Sequence, residues 1–327
     1  MTTTTALATA AQQLPAVTAE TFAPIVAMVT NAVSSQHTKR AYARALVDFM
    51  TWHQSEGRAG LDKATVNAYV THLRNEGTPA SSINQRLVAI RKMANEAADN
   101  GLIPQAAAQA IARAEGERTE GGRLGNWLDT KQAQQLLDAP DRATMKGTRD
   151  RAILAVLLGC GLRREECAAL TVKHLQQREG RWVIVDLVGK RNKTRSVPMP
   201  SWAKASVDAW LNLAGITEGF IFRPVNKGGR VQPGAMTAQA VYNLVSEYSA
   251  AIGLGSDVKA KGQKRKVTAT VHPHDLRRTF AKLAHKGDAP IEQIQLSLGH
   301  SSIQTTEKYL GVQQDLAHAP CDVIELR

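Results

Sequence analysis

The stretch HPHDLRRTFAKLAHKGDAPIEQIQLSLGHSSIQTTEKYL, residues 272–310, holds more polar groups at short fixed spacings than packing requires. His274 stands three residues before Arg277, one helical turn, so both side chains share a helix face and can meet one substrate oxygen. Further on, LGH ends at His300, and Tyr309 follows inside TTEKYL. A tyrosine near a C-terminus reads by itself as packing. His272, His274 and His300 can also be read as metal ligands. Against that, no HExxH or carboxylate cluster accompanies them, and neighbouring arginines would repel a divalent cation. The expectation is no metal and no other cofactor.

Two earlier stretches share this character, GCGLRREE (159–166) and VGKRNKTRSV (188–197), each preceded by an apolar run. Arginine offers a planar fork of donors matching phosphate oxygens, so Arg163 and Arg277 converging on one phosphate would stabilise a pentacoordinate transition state. Glu166 falls one helical turn after Arg163, where its carboxylate can orient the guanidinium without entering the chemistry. Around these stretches the period alternates. Asp129 and Gln132 form a capping-box signature opening a helix. DRAILAVLLGCG reads as a hydrophobic helix, RREECAALTV as a shorter one, and RWVIVDLVG and SVPMP as strands joined by the turn GKRNKTR, with Lys190 at its tip and Lys193 as an alternative. Helical patterning returns over 201–213, 236–252 and the C-terminal third.

The succession GLRREE, VGK, HDLR, LGH and TTEKY resembles, in order, the boxes of the tyrosine recombinase or phage-integrase family over about 128–310, with weaker likeness in the N-terminal part. The resemblance implies that Arg163, Lys190, His274, Arg277 and His300 activate a DNA phosphate and that Tyr309 is the nucleophile. His274 would accept the phenolic proton, Lys190 would protonate the departing 5′-oxygen, and His300 would support the phosphate. A phenol of ordinary pKa about 10 needs such a base and a cationic pocket to ionise. A tyrosyl phosphodiester keeps the energy of the broken bond, which agrees with the lack of a GxxxxGK[ST] loop. Arg278 stands where many relatives carry His, and Arg164-Glu165 where relatives often have small or apolar residues; neither departure is expected to touch the reacting groups. The implied fold is mainly α with a small β-sheet: an all-α, SAM-like core-binding domain and an α+β catalytic domain, closing as a C-shaped clamp on double-stranded DNA. The implied assembly is a homotetramer on two DNA sites, monomeric or weakly associated when free, with an accessory DNA-bending protein as a further partner. Rival readings are a type IB topoisomerase, a DNA-binding regulator with a spent site, and a metal-dependent nuclease.

The rest of the chain is consistent with this. Its 327 residues allow two domains, and 41 Lys and Arg against 29 Asp and Glu give a net charge of +12, favouring a polyanionic partner. Residues 1–17 read as a flexible tail and 18–115 as a helical DNA-binding domain. The glycine-rich GERTEGGRLGN marks a linker over 116–127, the catalytic domain spans 128–310, and 311–327 form a tail whose Val323, Ile324 and Leu326 need a groove or neighbouring subunit. In the helical domain Val66, Tyr69, Val70 and Leu73 form one stripe and Ile83, Leu87, Ile90, Ala94 and Ala97 another, with Thr78 and Pro79 as N-cap and first helical residue. Ala41, Ala45, Leu46, Phe49 and Trp52 point inward beside Lys39, Arg40 and Arg44, which can hold phosphates or simply face water. Lys264, Arg265 and Lys266 lie in a basic loop with the same two readings. Cys160, Cys167 and Cys321 make no disulfide framework, and no secretory signal or long apolar run occurs, so a cytoplasmic, nucleoid-associated protein without membrane contact is expected.

Overall fold

The computed structural model describes residues 19–58, 60–118, 126–189, 193–258, 266–269 and 271–311. Both proposed tails except Gly311, and also Lys190, Lys264 and Arg265, lie outside them, as does the side chain of Lys266. The chain divides into two compact units, 1–122 and 123–327.

The first unit consists of helices α1 (Ala19–Asn31), α2 (Gln36–Ser55), α3 (Lys63–Asn75), α4 (Ala80–Asp99) and α5 (Gln105–Ala112). Side-chain caps fix two of the starts. Ser35 Oγ accepts from Thr38 N at 3.4 Å, and Asp62 Oδ1 from Thr65 N at 2.7 Å. Both predicted apolar stripes are buried throughout, in a core that includes Phe49, Met93 and Ile111. Within α2, Ala45, Leu46, Phe49 and Trp52 are buried and Ala41 only partly. The α4 start is one residue later than expected: Pro79, at φ −59° and ψ 142°, is the cap, because its extended backbone precedes the first helical turn. The proposed linker also begins differently. Asn84 pairs with the Glu117 backbone in both directions, at 2.9 and 2.8 Å, and Arg74 reaches the Glu117 carboxylate, so residues 116–118 pack on the first unit.

The second unit is built around α7 (Met145–Cys160), whose residues Ala152–Leu158 are all buried. A helix apolar on every side belongs at the centre of a domain. Packed about it are α6 (Thr130–Asp138), α9 (Ser201–Ala214), α10 (Ala238–Ala251) and α11 (Pro273–Lys286), followed by α12 (Ile291–Leu298) and α13 (Ile303–Leu310). The Asp129/Gln132 capping box forms in both directions, at 2.7 and 3.1 Å. The helix expected over RREECAALTV is only α8 (Arg164–Ala168), followed by a 3-10 turn at Val172–His174.

An antiparallel sheet in the order β1-β2-β3 joins Leu175–Arg178, Arg181–Val188 and Thr194–Pro198. β1, the polar LQQR, has no alternation to reveal it; Glu179 and Gly180, both at positive φ (51° and 75°), make the tight turn into β2. Between Ile184 and Leu187 the register against β3 shifts, with Asp186 at φ 56°, a bulge in β2. A second hairpin, β4 (Gly255–Val258) and β5 (Lys266–Ala269), flanks the basic segment that the sequence presented only as a loop.

Candidate active site

Helix ends place the expected site residues. Gly161 closes α7 at φ 61°, and a Cβ there would lie 2.5 Å from Phe280 Cδ1, so this turn demands glycine. Arg163 follows at the start of α8. Its backbone N–H donates to Glu166 Oε2 at 2.8 Å and its Nη1 to Oε1 at 2.7 Å, the pairing expected from their spacing.

Arg277 is 1% exposed on α11. Its Nη1 donates to the Gly161 carbonyl at 2.7 Å and its Nη2 to the Leu298 carbonyl, so one guanidinium joins the GLR and LGH segments. Burial, then the Arg163 charge, pull Arg277 down to about 10, which leaves it cationic at neutral pH.

Gly299 ends α12 at φ 64° and turns the chain into His300, whose Nδ1 lies 3.0 Å from Thr306 Oγ1 on α13. Tyr309, 9% exposed, stands between two imidazoles placed edge-on: His274 with ring centres 5.5 Å apart and His300 at 5.4 Å. The phenol donates to the backbone carbonyl of His274 at 3.2 Å, not to its ring. The five residues Arg163, His274, Arg277, His300 and Tyr309 therefore share one site.

Burial, then Arg277, holds both imidazoles below the ordinary histidine value, His300 at about 4, so both are neutral near pH 7. Burial pushes the Tyr309 phenol up against the downward pull of Arg277 and Arg278. Tyr309 is consequently protonated in this state, beside two neutral imidazoles.

Two arginines depart from the expectations. The Arg278 guanidinium lies 4.6 Å from the centre of the Tyr309 ring, so this departure does touch a residue expected to react, because it follows Arg277 on the helix that faces α13. Arg195, the last residue of the expected turn GKRNKTR, lies instead on β3 and donates from Nη1 and Nη2 to the two oxygens of Glu166 at 2.9 and 2.8 Å. Its neighbour Val197, on the same face of β3, is fully buried; a cation two residues from such a valine is the signal that would have found it. Arg164 and Glu165 pair with each other at 2.8 Å.

His272 packs against α10. Its ring stacks on Tyr242 at 4.9 Å, and its Nδ1 lies 3.3 Å from Ser246 Oγ. Among the described residues no group of three His, Cys, Asp or Glu side chains is placed to hold a metal, and no helix is long and apolar enough to cross a membrane. Lys193 is exposed at the base of the hairpin; in the first unit Arg40 and Arg44 are exposed on α2 and Lys39 is partly so.

The family model described as the phage integrase family matches residues 126–315, more than half of the chain. The chain belongs to the phage integrase family. A second model, the SAM-like N-terminal domain of phage integrases, matches residues 28–101 of this integrase. The integrase is 30% identical over 281 residues to tyrosine recombinase XerC of Pseudomonas fluorescens, covering 84% of this chain and 85% of that protein. It is 30% identical over 278 residues to XerC of Xanthomonas campestris, covering 84% and 78%. Among solved structures it is similar to XerH bound to palindromic difH substrate, with a TM-score of 0.67 and 17% identity over 90% of this chain and 81% of that one. It is also similar to the Tn1549 transposon integrase in complex with circular intermediate DNA, at 0.62 and 17% over 92% and 99%, and to a lambda integrase dimer bound to a core site, at 0.62 and 15% over 90% and 96%. At these identities the structural likeness establishes the integrase fold, a SAM-like helical unit followed by a mainly helical catalytic unit with a small sheet.

Proposed function

We propose that this integrase is a site-specific DNA recombinase that cuts and rejoins strands through a covalent bond to Tyr309. The observation that carries the reading is the placement of Tyr309 between neutral His274 and His300 and beside Arg277. The Tyr309 oxygen attacks the scissile phosphorus, forming a 3′-phosphotyrosyl bond as the bond to the 5′-oxygen breaks. The phenolic proton passes to His274 once the hydroxyl leaves the carbonyl it now contacts, and Lys190 supplies a proton to the 5′-oxygen. Arg163 and Arg277 neutralise the nonbridging oxygens, and His300 supports them. Rejoining is the reverse attack by a 5′-hydroxyl from the partner strand, without ATP or a metal ion. Glu166 holds Arg163.

Two rounds of exchange through a four-way junction call for a homotetramer on two sites, assembled from monomers or weak oligomers, with an accessory bending protein where the site requires it. Lys39, Arg40 and Arg44 of the helical unit, and Lys264, Arg265 and Lys266 of the basic segment, would contact the phosphate backbone of the duplex. The 311–327 tail would pack on a neighbouring protomer, in the setting of a cytoplasmic, nucleoid-associated protein.

The test is covalent capture. The protein and its Tyr309→Phe variant are mixed in EDTA with a nicked genomic-fragment library, denatured, and the adducts sequenced. Adducts at a recurring site, lost in the variant, are expected; no adduct from either chain would leave a DNA-binding protein without this chemistry.

A further inference from the structure

Among the described cations of the site, Arg195 has a distinct relation to it. It is 9% exposed at the side chain and sits on β3, the strand that leaves the hairpin turn. Its fork faces both oxygens of Glu166, while Nε donates to the carbonyl of Ser297 at 2.9 Å, one residue before the Leu298 carbonyl held by Arg277. Glu166 in turn takes the backbone and side chain of Arg163. Burial would raise Glu166, but Arg195 and then Arg163 overcome it and hold the carboxyl at about 2, so it is ionised at any working pH. Room for this arrangement comes from Gly299, where a Cβ would stand 2.8 Å from Arg195 Cδ. The glycine of the LGH segment thus serves both its left-handed turn and the approach of Arg195.

We propose that Arg195 is a positioning residue for phosphate activation, fixing Glu166 and through it Arg163 while tying β3 to the helix end that carries His300. It does not touch the reacting atoms. Without its fork, Glu166 has one partner instead of two and can rotate, and the Arg163 guanidinium loses its fixed direction. A lysine cannot replace it, since an ammonium cannot span both carboxylate oxygens and the Ser297 carbonyl with planar geometry. By analogy with the outer partners of metal-ligating side chains, its loss is expected to cost activity by about 10- to 100-fold. The proposal rests on the recombinase reading, and its test separates the two.

The first arm needs no DNA. The full-length chain and its Arg195→Lys and Arg195→Met variants are treated with phenylglyoxal, and labelling of Arg163 is followed by peptide mass spectrometry, with exposed Arg178 as the internal standard. Faster labelling of Arg163 in folded variants is expected; an unchanged ratio to Arg178 would overturn the proposal. Arg195→Lys keeps charge and stem and covers the case in which Arg195→Met does not fold.

The second arm uses the captured site as a nicked duplex whose scissile phosphate is either the ordinary diester or a methylphosphonate, which lacks the charge that Arg163 would neutralise. Arg195→Lys should lose about 10- to 100-fold in cleavage rate on the diester and far less on the methylphosphonate, in parallel with Arg163→Ala. An equal loss on both substrates, or rescue of Arg163→Ala alone, would overturn the positioning role and leave the recombinase reading intact. No adduct from the unsubstituted chain would remove the recombinase reading, and the labelling arm would still decide whether Arg195 holds Arg163.

Discussion

Replacing Glu166 by Gln tests how much of the site's architecture depends on one carboxylate. Glu166 accepts four hydrogen bonds, two from Arg163 and two from Arg195, with its side chain 7% exposed. Glutamine offers one acceptor oxygen, and its amide turns donors toward a guanidinium that is itself only a donor. The carboxyl lies at about 2 against an ordinary 4.5, a gap of roughly 2.5 pH units, which at about 1.36 kcal/mol per unit corresponds to about 3 kcal/mol. The cost of breaking a buried pair by removing one partner, about 3–5 kcal/mol, agrees. Because the folded value is depressed, this stability is present above pH 4.5 and is lost as pH falls toward 2. The assay is urea unfolding followed by tryptophan fluorescence, since Trp127, Trp182, Trp202 and Trp210 all belong to the second unit. The variant should be less stable by about 3 kcal/mol at pH 7, and the gap should narrow by about 1 kcal/mol at pH 3.5. A gap below about 1 kcal/mol at pH 7, or one unchanged at pH 3.5, would refute the reasoning.

Depressed histidines have a different pH signature. The unfolded chain binds protons at His274 and His300 more readily than the folded one, so stability should fall as pH drops from 6.5 toward 4, and His300→Gln should flatten part of that slope in melting temperatures taken across the range. Arg278→Met removes a cation from the face of Tyr309, so the rising limb of cleavage rate against pH should move to higher pH; an unmoved limb would mean the contact does not reach the phenol. In the helical unit Phe49 is fully buried and meets Tyr69 edge-on at 5.0 Å, and Phe49→Ala should destabilise that unit by about 3–5 kcal/mol in calorimetry, with less than about 1 kcal/mol contradicting its place in the core.

What could be read in advance followed the range of the physics. The α3 and α4 stripes were legible because helix burial repeats every three to four residues. Arg163 with Glu166, and His274 with Arg277, were legible because one helical turn separates each pair. Arg195 escaped because its partner is 29 residues away, across two strands and their turns, and no local spacing encodes that contact. Arg278 was set aside as a departure from relatives, yet helix geometry brings its guanidinium over Tyr309. The polar β1 was missed because it shows no alternation, and the β4–β5 hairpin because β4 shows none and the alternation of Lys266–Ala269 is only four residues long, beside a run of cations.

The central claim is that Tyr309 carries the DNA during exchange. Denatured adducts formed on the captured site would be digested with nuclease and trypsin, and the peptides sequenced by mass spectrometry. Cleavage after Lys308 leaves a peptide that begins at Tyr309 and runs to Arg327. The account predicts a nucleotide remnant on the phenolic oxygen of that peptide and on no other; a remnant on a different residue, or adducts that persist in Tyr309→Phe, would contradict it.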